Sequence, residues 1–385
     1  METKDLRYFA ISSIENIHLY GRTGRDASGA VALFWTASGF AVNSPAQELW
    51  AELEADYDNL EPWVSVWVNG CQVSRFIVEK GRRWYCLFRT VKGSKVNRIS
   101  LLKETQAMSD DASHSLLLHA LAVPAAEQRT EADLFRPLPE KRLRLEVIGD
   151  SLTTGEGIAG AVDEMDWIPA WQALKDNYAV LTAQKLDADL HILSQSGWGV
   201  VASWDNDRWH CLPRYYEQTC GLANGAKNIS CGAHEPWNFS LWKSDVVVVN
   251  LGTNDWGAFK NPPFKDPATG TEWKMRLDGR GKPLAEDLRF LQRGVTDFLS
   301  VLRRCNPAAH IIWIYGMCSF DLGSSIRGAV EDFAESRHDA AVHFLRVPCM
   351  CDESAEEKGS RQHPGWGTHR RVAQALAREI EGWVL

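Results

Sequence analysis

Leu143-Arg-Leu-Glu-Val-Ile-Gly-Asp-Ser-Leu-Thr-Thr-Gly-Glu-Gly157 is the stretch on which the fold turns. Leu143, Leu145 and Val147 alternate with polar residues, run into Ile148, and stop at Gly149-Asp150-Ser151. That pattern predicts a buried strand, a tight turn and then a helix. A serine at the carboxyl end of a parallel strand sits where open α/β sheets place their chemistry. Serine is also a good helix N-cap, and the stretch by itself leaves both roles open.

Working outward, the region after residue 143 alternates strand and helix. Strand patterns fall at 189–193, 245–251, 310–315 and 343–347. The second of these carries the unbroken apolar run 246–249, as at the centre of a parallel sheet. Helical spacing runs over 169–185, 284–305 and 364–383, with Leu288, Leu291, Val295, Phe298 and Leu302 on one face of the middle segment. The alternation predicts α/β architecture on a parallel sheet. Residues 200–243 read as a long insertion carrying Trp204, Trp209, Trp237 and Trp242.

Ahead of it, residues 12–122 read as short strands rich in Val, Ile, Trp and Phe. Asn69-Gly70 supplies the two positive φ angles of a type I′ hairpin turn between 63–68 and 71–78. Such a run predicts a β-sandwich of jelly-roll type. Its Trp35, Trp50, Trp63, Trp67 and Trp84 fit core filling better than a sugar platform. Residues 123–142 are polar and Pro-containing and read as a linker. The boundaries expected are therefore 1–122, 123–142 and 143–385.

The chain has 385 residues, enough for two domains, and 45% are apolar. Its net charge of −8 is dispersed, which argues against nucleic acid as a partner. No apolar run is long enough to span a bilayer. The nine cysteines follow no regular framework, and Met1-Glu-Thr-Lys-Asp-Leu-Arg7 shows no secretory signal, so reduced thiols and a cytoplasmic location are expected. His210, Cys211, Cys220, Cys231 and His234 lack zinc-site spacing, so no metal and no other cofactor is expected. Nothing in the residues sets an oligomeric state.

Three strand ends carry polar or Gly-rich turns: Gly149-Asp-Ser151, Ser196-Gly-Trp-Gly199 and Gly252-Thr-Asn-Asp255. A fourth, Gln362-His-Pro364, opens the last helix. In a parallel sheet such ends share one edge, so a hydroxyl, a glycine N–H, an amide and an imidazole can meet. That set suits acyl transfer, with Ser151 as nucleophile and His363 as base. The N–H groups of Ser151 and Gly197 and the Asn254 amide would form the oxyanion hole. Trp198, Trp256 and Trp366 flank these turns and are candidates for stacking on a sugar ring. Asp150 and Asp255 fit local backbone capping, and His369 a structural place on the last helix.

Gly149-Asp-Ser-Leu152, Gly197, Gly252-x-Asn254 and His363-Pro364 resemble the four blocks of the SGNH (GDSL) hydrolase superfamily. A β-sandwich ahead of such a domain further resembles carbohydrate esterase family 2. The resemblance implies a three-layer α/β/α second domain and deacetylation of sugars. It implies acetylated oligosaccharides as substrates and repeats the roles given above. One position departs. The superfamily usually has aspartate three residues before the histidine, and here Ser360 stands there. Several members of family 2 work as a Ser-His dyad. Asp352, Glu353, Glu356 and Glu357 lie near in sequence, though a solvated loop accounts for them. A carbohydrate-binding protein without turnover and an acyltransferase to sugar hydroxyls remain as alternatives.

Overall fold

Asn69 and Gly70 take the positive φ angles their turn requires, 52° and 85°. They join strands Trp63–Val68 and Cys71–Ile77, which pair antiparallel with a bulge at Val66/Trp67. The hairpin belongs to a five-stranded sheet with His18–Tyr20, Gly39–Ser44 and Asn97–Lys103. A second antiparallel sheet holds Leu6–Ala10, Thr23–Arg25, Val31–Leu33, Glu48–Asp56, Gly81–Arg89 and Ser115–Pro124. Glu48–Asp56 alternates regularly, with Leu49, Ala51, Leu53 and Ala55 turned inward. These four share one core with Phe40, Val42, Val64, Val66, Ile99 and Leu101 of the other sheet. The result is a β-sandwich.

The computed structural model describes residues 5–91, 95–351, 354 and 356–384. The chain divides into two units. The sandwich unit takes Met1–Glu140 together with Ile168–Ala170 and Gln218–Trp237, and the rest forms the second unit. Part of the long insertion thus returns to the sandwich. There Thr219 O accepts the Trp35 indole N–H at 2.7 Å, and Gln218 O accepts from Arg22 at 3.0 Å. Residues 123–142 hold the end of Ser115–Pro124 and a single helical turn, Glu131–Leu134, capped by Thr130.

In the second unit five strands form one sheet in the order Ala188–Ser194, Leu143–Gly149, Val246–Asn250, His310–Tyr315, Val342–Arg346. Every pair is parallel. The first strand in the chain lies second in the sheet, so the winding reverses between Leu143–Gly149 and Val246–Asn250. Right-handed crossovers on either side of that point put helices on both faces. Tyr178–Lys185 packs with Trp366–Val384, and Ala285–Cys305 with Gly323–Arg337. The helix expected over 169–185 is shorter: a 3-10 turn at Pro169–Trp171, then Tyr178–Lys185. Asp176 has φ 67°, and Asn177 caps the helix by accepting the Ala179 N–H. A left-handed residue followed by a good cap starts a new helix rather than continuing one.

Candidate active site

The reversal point of a doubly wound sheet leaves a crevice beyond the carboxyl ends of the flanking strands. Both flanking strands deliver site residues. Leu143–Gly149 ends at Asp150 and the short helix Ser151–Thr154, while Val246–Asn250 leads into Thr253–Lys260. Asp150 is the helix cap, its Oδ1 accepting the Leu152 N–H at 3.0 Å. Ser151 therefore stands one residue inside, and its hydroxyl has no capping duty. Ser151 Oγ lies 2.8 Å from His363 Nε2. Gly149 is required here, because a Cβ would stand 2.0 Å from Thr153 Oγ1.

His363 arrives from a strained turn. Arg361 and Gln362 both have left-handed backbones, φ 53° and 58°. Non-glycine residues hold such angles only where their surroundings enforce them. The turn brings the Arg361 carbonyl to 2.9 Å from His363 Nδ1. Ser360, where the family's aspartate would stand, is buried and donates its hydroxyl to Ala159 O. Glu357 is committed to Arg371 and Thr368. Asp352 and Glu353 lie outside the described residues. Among the described residues, the carboxylate beside the imidazole is Glu156, whose Oε1 is 3.7 Å from Nε2. Sequence reading passed it over. Its one local signal is a charged residue held between two glycines, Gly155 and Gly157, in an otherwise buried turn.

Gly197 has φ 81°, and its N–H, like that of Ser151, has no acceptor among the described residues. Asn254 is less free. Its Nδ2 donates to Asp150 Oδ2 at 3.1 Å and to Trp198 O at 3.0 Å. Asp255 accepts the N–H groups of Val200 and Val201 at 2.8 and 2.9 Å, tying the glycine turn to its helix. Burial pushes Asp150 up to about 7 and Asp255 to about 6. His369 is wholly buried, its Nδ1 accepting the Tyr178 N–H.

The tryptophans divide by exposure. Trp198 is 4% exposed and stacks on His210 at 4.8 Å. Trp256 and Trp366 are half-buried and carry Lys260 and Arg370 over their rings. Trp204 is 50% exposed, and its indole would lie 3.0 Å from a Cβ on Gly197. Among the described residues no three His, Cys, Asp or Glu side chains gather as a metal site, and no helix is long and apolar enough to cross a membrane.

Sheet order, Ser151 after the first strand, Asn254 after the third and His363 before the last helix define an SGNH-type hydrolase fold. No family model matches the chain. An acetyl xylan esterase structure from the rumen bacterium Butyrivibrio proteoclasticus superposes with a TM-score of 0.92 at 38% identity, over 99% of this chain and 100% of that one. The cellulase/esterase CelE of Acetivibrio thermocellus is 26% identical over 65% of this chain, and an acetylxylan esterase / glucomannan deacetylase of Cellvibrio japonicus 25% over 64%. These matches span 27% and 59% of the two curated relatives. The chain belongs to carbohydrate esterase family 2.

Proposed function

We propose that this protein removes acetyl groups from carbohydrate through a Ser151 acyl-enzyme. The observation that carries the reading is the 2.8 Å approach of Ser151 Oγ to His363 Nε2 while Nδ1 faces the Arg361 carbonyl. A carbonyl only accepts, so Nδ1 holds the ring's proton and Nε2 offers a lone pair. Ser151 Oγ adds to the acetyl carbon as its proton passes to Nε2. The negative charge that develops on the carbonyl oxygen is met by the N–H groups of Ser151 and Gly197. Asn254 joins them by sharing a hydrogen it already gives to Asp150 or Trp198. Collapse expels the sugar oxygen, which takes the proton from Nε2. Water then repeats the cycle and releases acetate.

Acetylated xylan and glucomannan, the substrates named for the relatives, are the first to test. The exposed indole of Trp204 beside Gly197 supplies an apolar face for a sugar ring. Hydrolysis of 4-nitrophenyl acetate by wild type, Ser151→Ala and His363→Ala tests the mechanism. Each variant is expected to lose about a thousandfold or more in kcat. A wild type no faster than the variants would bring back the binding-protein reading. Free acetate measured with and without an added sugar acceptor separates hydrolysis from acyl transfer.

A further inference from the structure

Glu156 joins three loops of the site through one buried carboxylate. Its side chain is 1% exposed. Oε1 accepts from Arg361 Nη1 at 2.5 Å, and the carbonyl of that same Arg361 holds His363 Nδ1. Oε2 accepts from Ser196 Oγ at 2.7 Å, next to Gly197, and from the Trp167 indole at 3.1 Å. One side chain thus anchors both the loop bearing the base and the turn bearing a donor to the oxyanion.

Its electrostatic effect changes during the reaction. In the resting site Nε2 presents a lone pair, and a carboxylate 3.7 Å away gains nothing from it. When the Ser151 O–H bond breaks and Nε2 takes the proton, the same approach becomes an ion pair. An interaction that exists only once charge has moved lowers the barrier rather than the ground state. Without Glu156, the Arg361 guanidinium held on the same carboxylate oxygen would lose its counter-charge, and so would the new imidazolium.

We propose that Glu156 is the positioning residue that replaces the aspartate missing before His363, aligning the ring through Arg361 and compensating its charge during proton transfer. This rests on the Ser151–His363 reading. Glu156→Gln keeps the shape and removes the charge. With 4-nitrophenyl acetate, kcat is expected to fall about tenfold or more while KM stays within about twofold. Glu156→Asp keeps the charge but withdraws it by one methylene, and its kcat should lie between those of E156Q and wild type. A kcat for E156Q within about threefold of wild type, a loss confined to KM, or equal losses in E156Q and E156D would each overturn the proposal. If E156Q does not fold by circular dichroism, E156D carries the test, and a wild-type kcat there overturns it. Ser151→Ala is run alongside. Full activity in S151A would sink the Ser-His reading itself, whatever the Glu156 variants do.

Discussion

The Ser151 hydroxyl faces His363 rather than capping its helix, because Asp150 takes the capping role beside it. The opposite wall of the site depends on a residue with no side chain. A Cβ on Gly157 would lie 2.5 Å from His363 Cβ and 2.9 Å from Ser360 O, and its φ is 88°. Gly157→Ala must therefore displace the turn that carries the imidazole. The expected result is a kcat loss of about a hundredfold, the order that a 1 Å misplacement costs. A stability loss of about 1–2 kcal/mol for the left-handed backbone should accompany it. Steady-state kinetics and urea unfolding on the same preparation check both. At this scale Ser151 and His363 were legible because each sits in a short motif at an element boundary. Glu156 was not, since its partners Ser196, Arg361 and His363 are 40, 205 and 207 positions away.

Elements were legible where burial is one-sided or complete. The apolar run marked Val246–Asn250, and Glu48–Asp56 is a strand with one face buried in regular alternation. Spacing carried less over 169–177, where tertiary contacts hold a turn and a loop instead. The end of Asn97–Lys103 holds a feature no periodicity predicts. Lys103 is fully buried, and its Nζ donates to the carbonyls of Phe34, Thr105 and Gln106. Burial pushes its pKa down to about 7, and in the ammonium form its three N–H donors serve these three carbonyls. Lys103→Met keeps much of the volume and removes these three hydrogen bonds. The expected cost is about 3 kcal/mol or more, read from the shift in urea midpoint at unchanged slope.

At the scale of the whole molecule, buried histidines and buried aspartates pull the response to pH in opposite directions. Burial pushes His114 and His369 down to about 3 from their ordinary 6.5. Below about pH 6.5 the unfolded chain binds protons that the folded histidines refuse, so stability falls as pH falls. Asp150 and Asp255, raised to about 7 and about 6 from 3.8, act the other way. Folded, they keep protons that the unfolded chain has lost, so between about pH 4 and 7 they add stability as pH falls. Burial lowers His310 and His343 as well, so the histidines outweigh the two aspartates and the urea midpoint should fall gently from pH 6.5 to 4. Asp150→Asn removes one of the opposing terms, and its midpoint should decline more steeply over the same interval. A variant whose midpoint falls no more steeply than that of wild type would contradict this assignment.

From its own residues the chain determined a β-sandwich followed by a parallel α/β sheet, with Ser151, Gly197, Asn254 and His363 at strand or helix boundaries. Hairpin turns, caps and apolar periods are local, so neighbours in sequence carry them. Only the tertiary structure decided that Asp150 rather than Ser151 caps the helix, that residues 218–237 return to the sandwich unit, and that a carboxylate from position 156 meets the imidazole of position 363. Those outcomes depend on sheet order and on loops closing across some two hundred residues. No local pattern records which side chains such a closure brings within a hydrogen bond of each other.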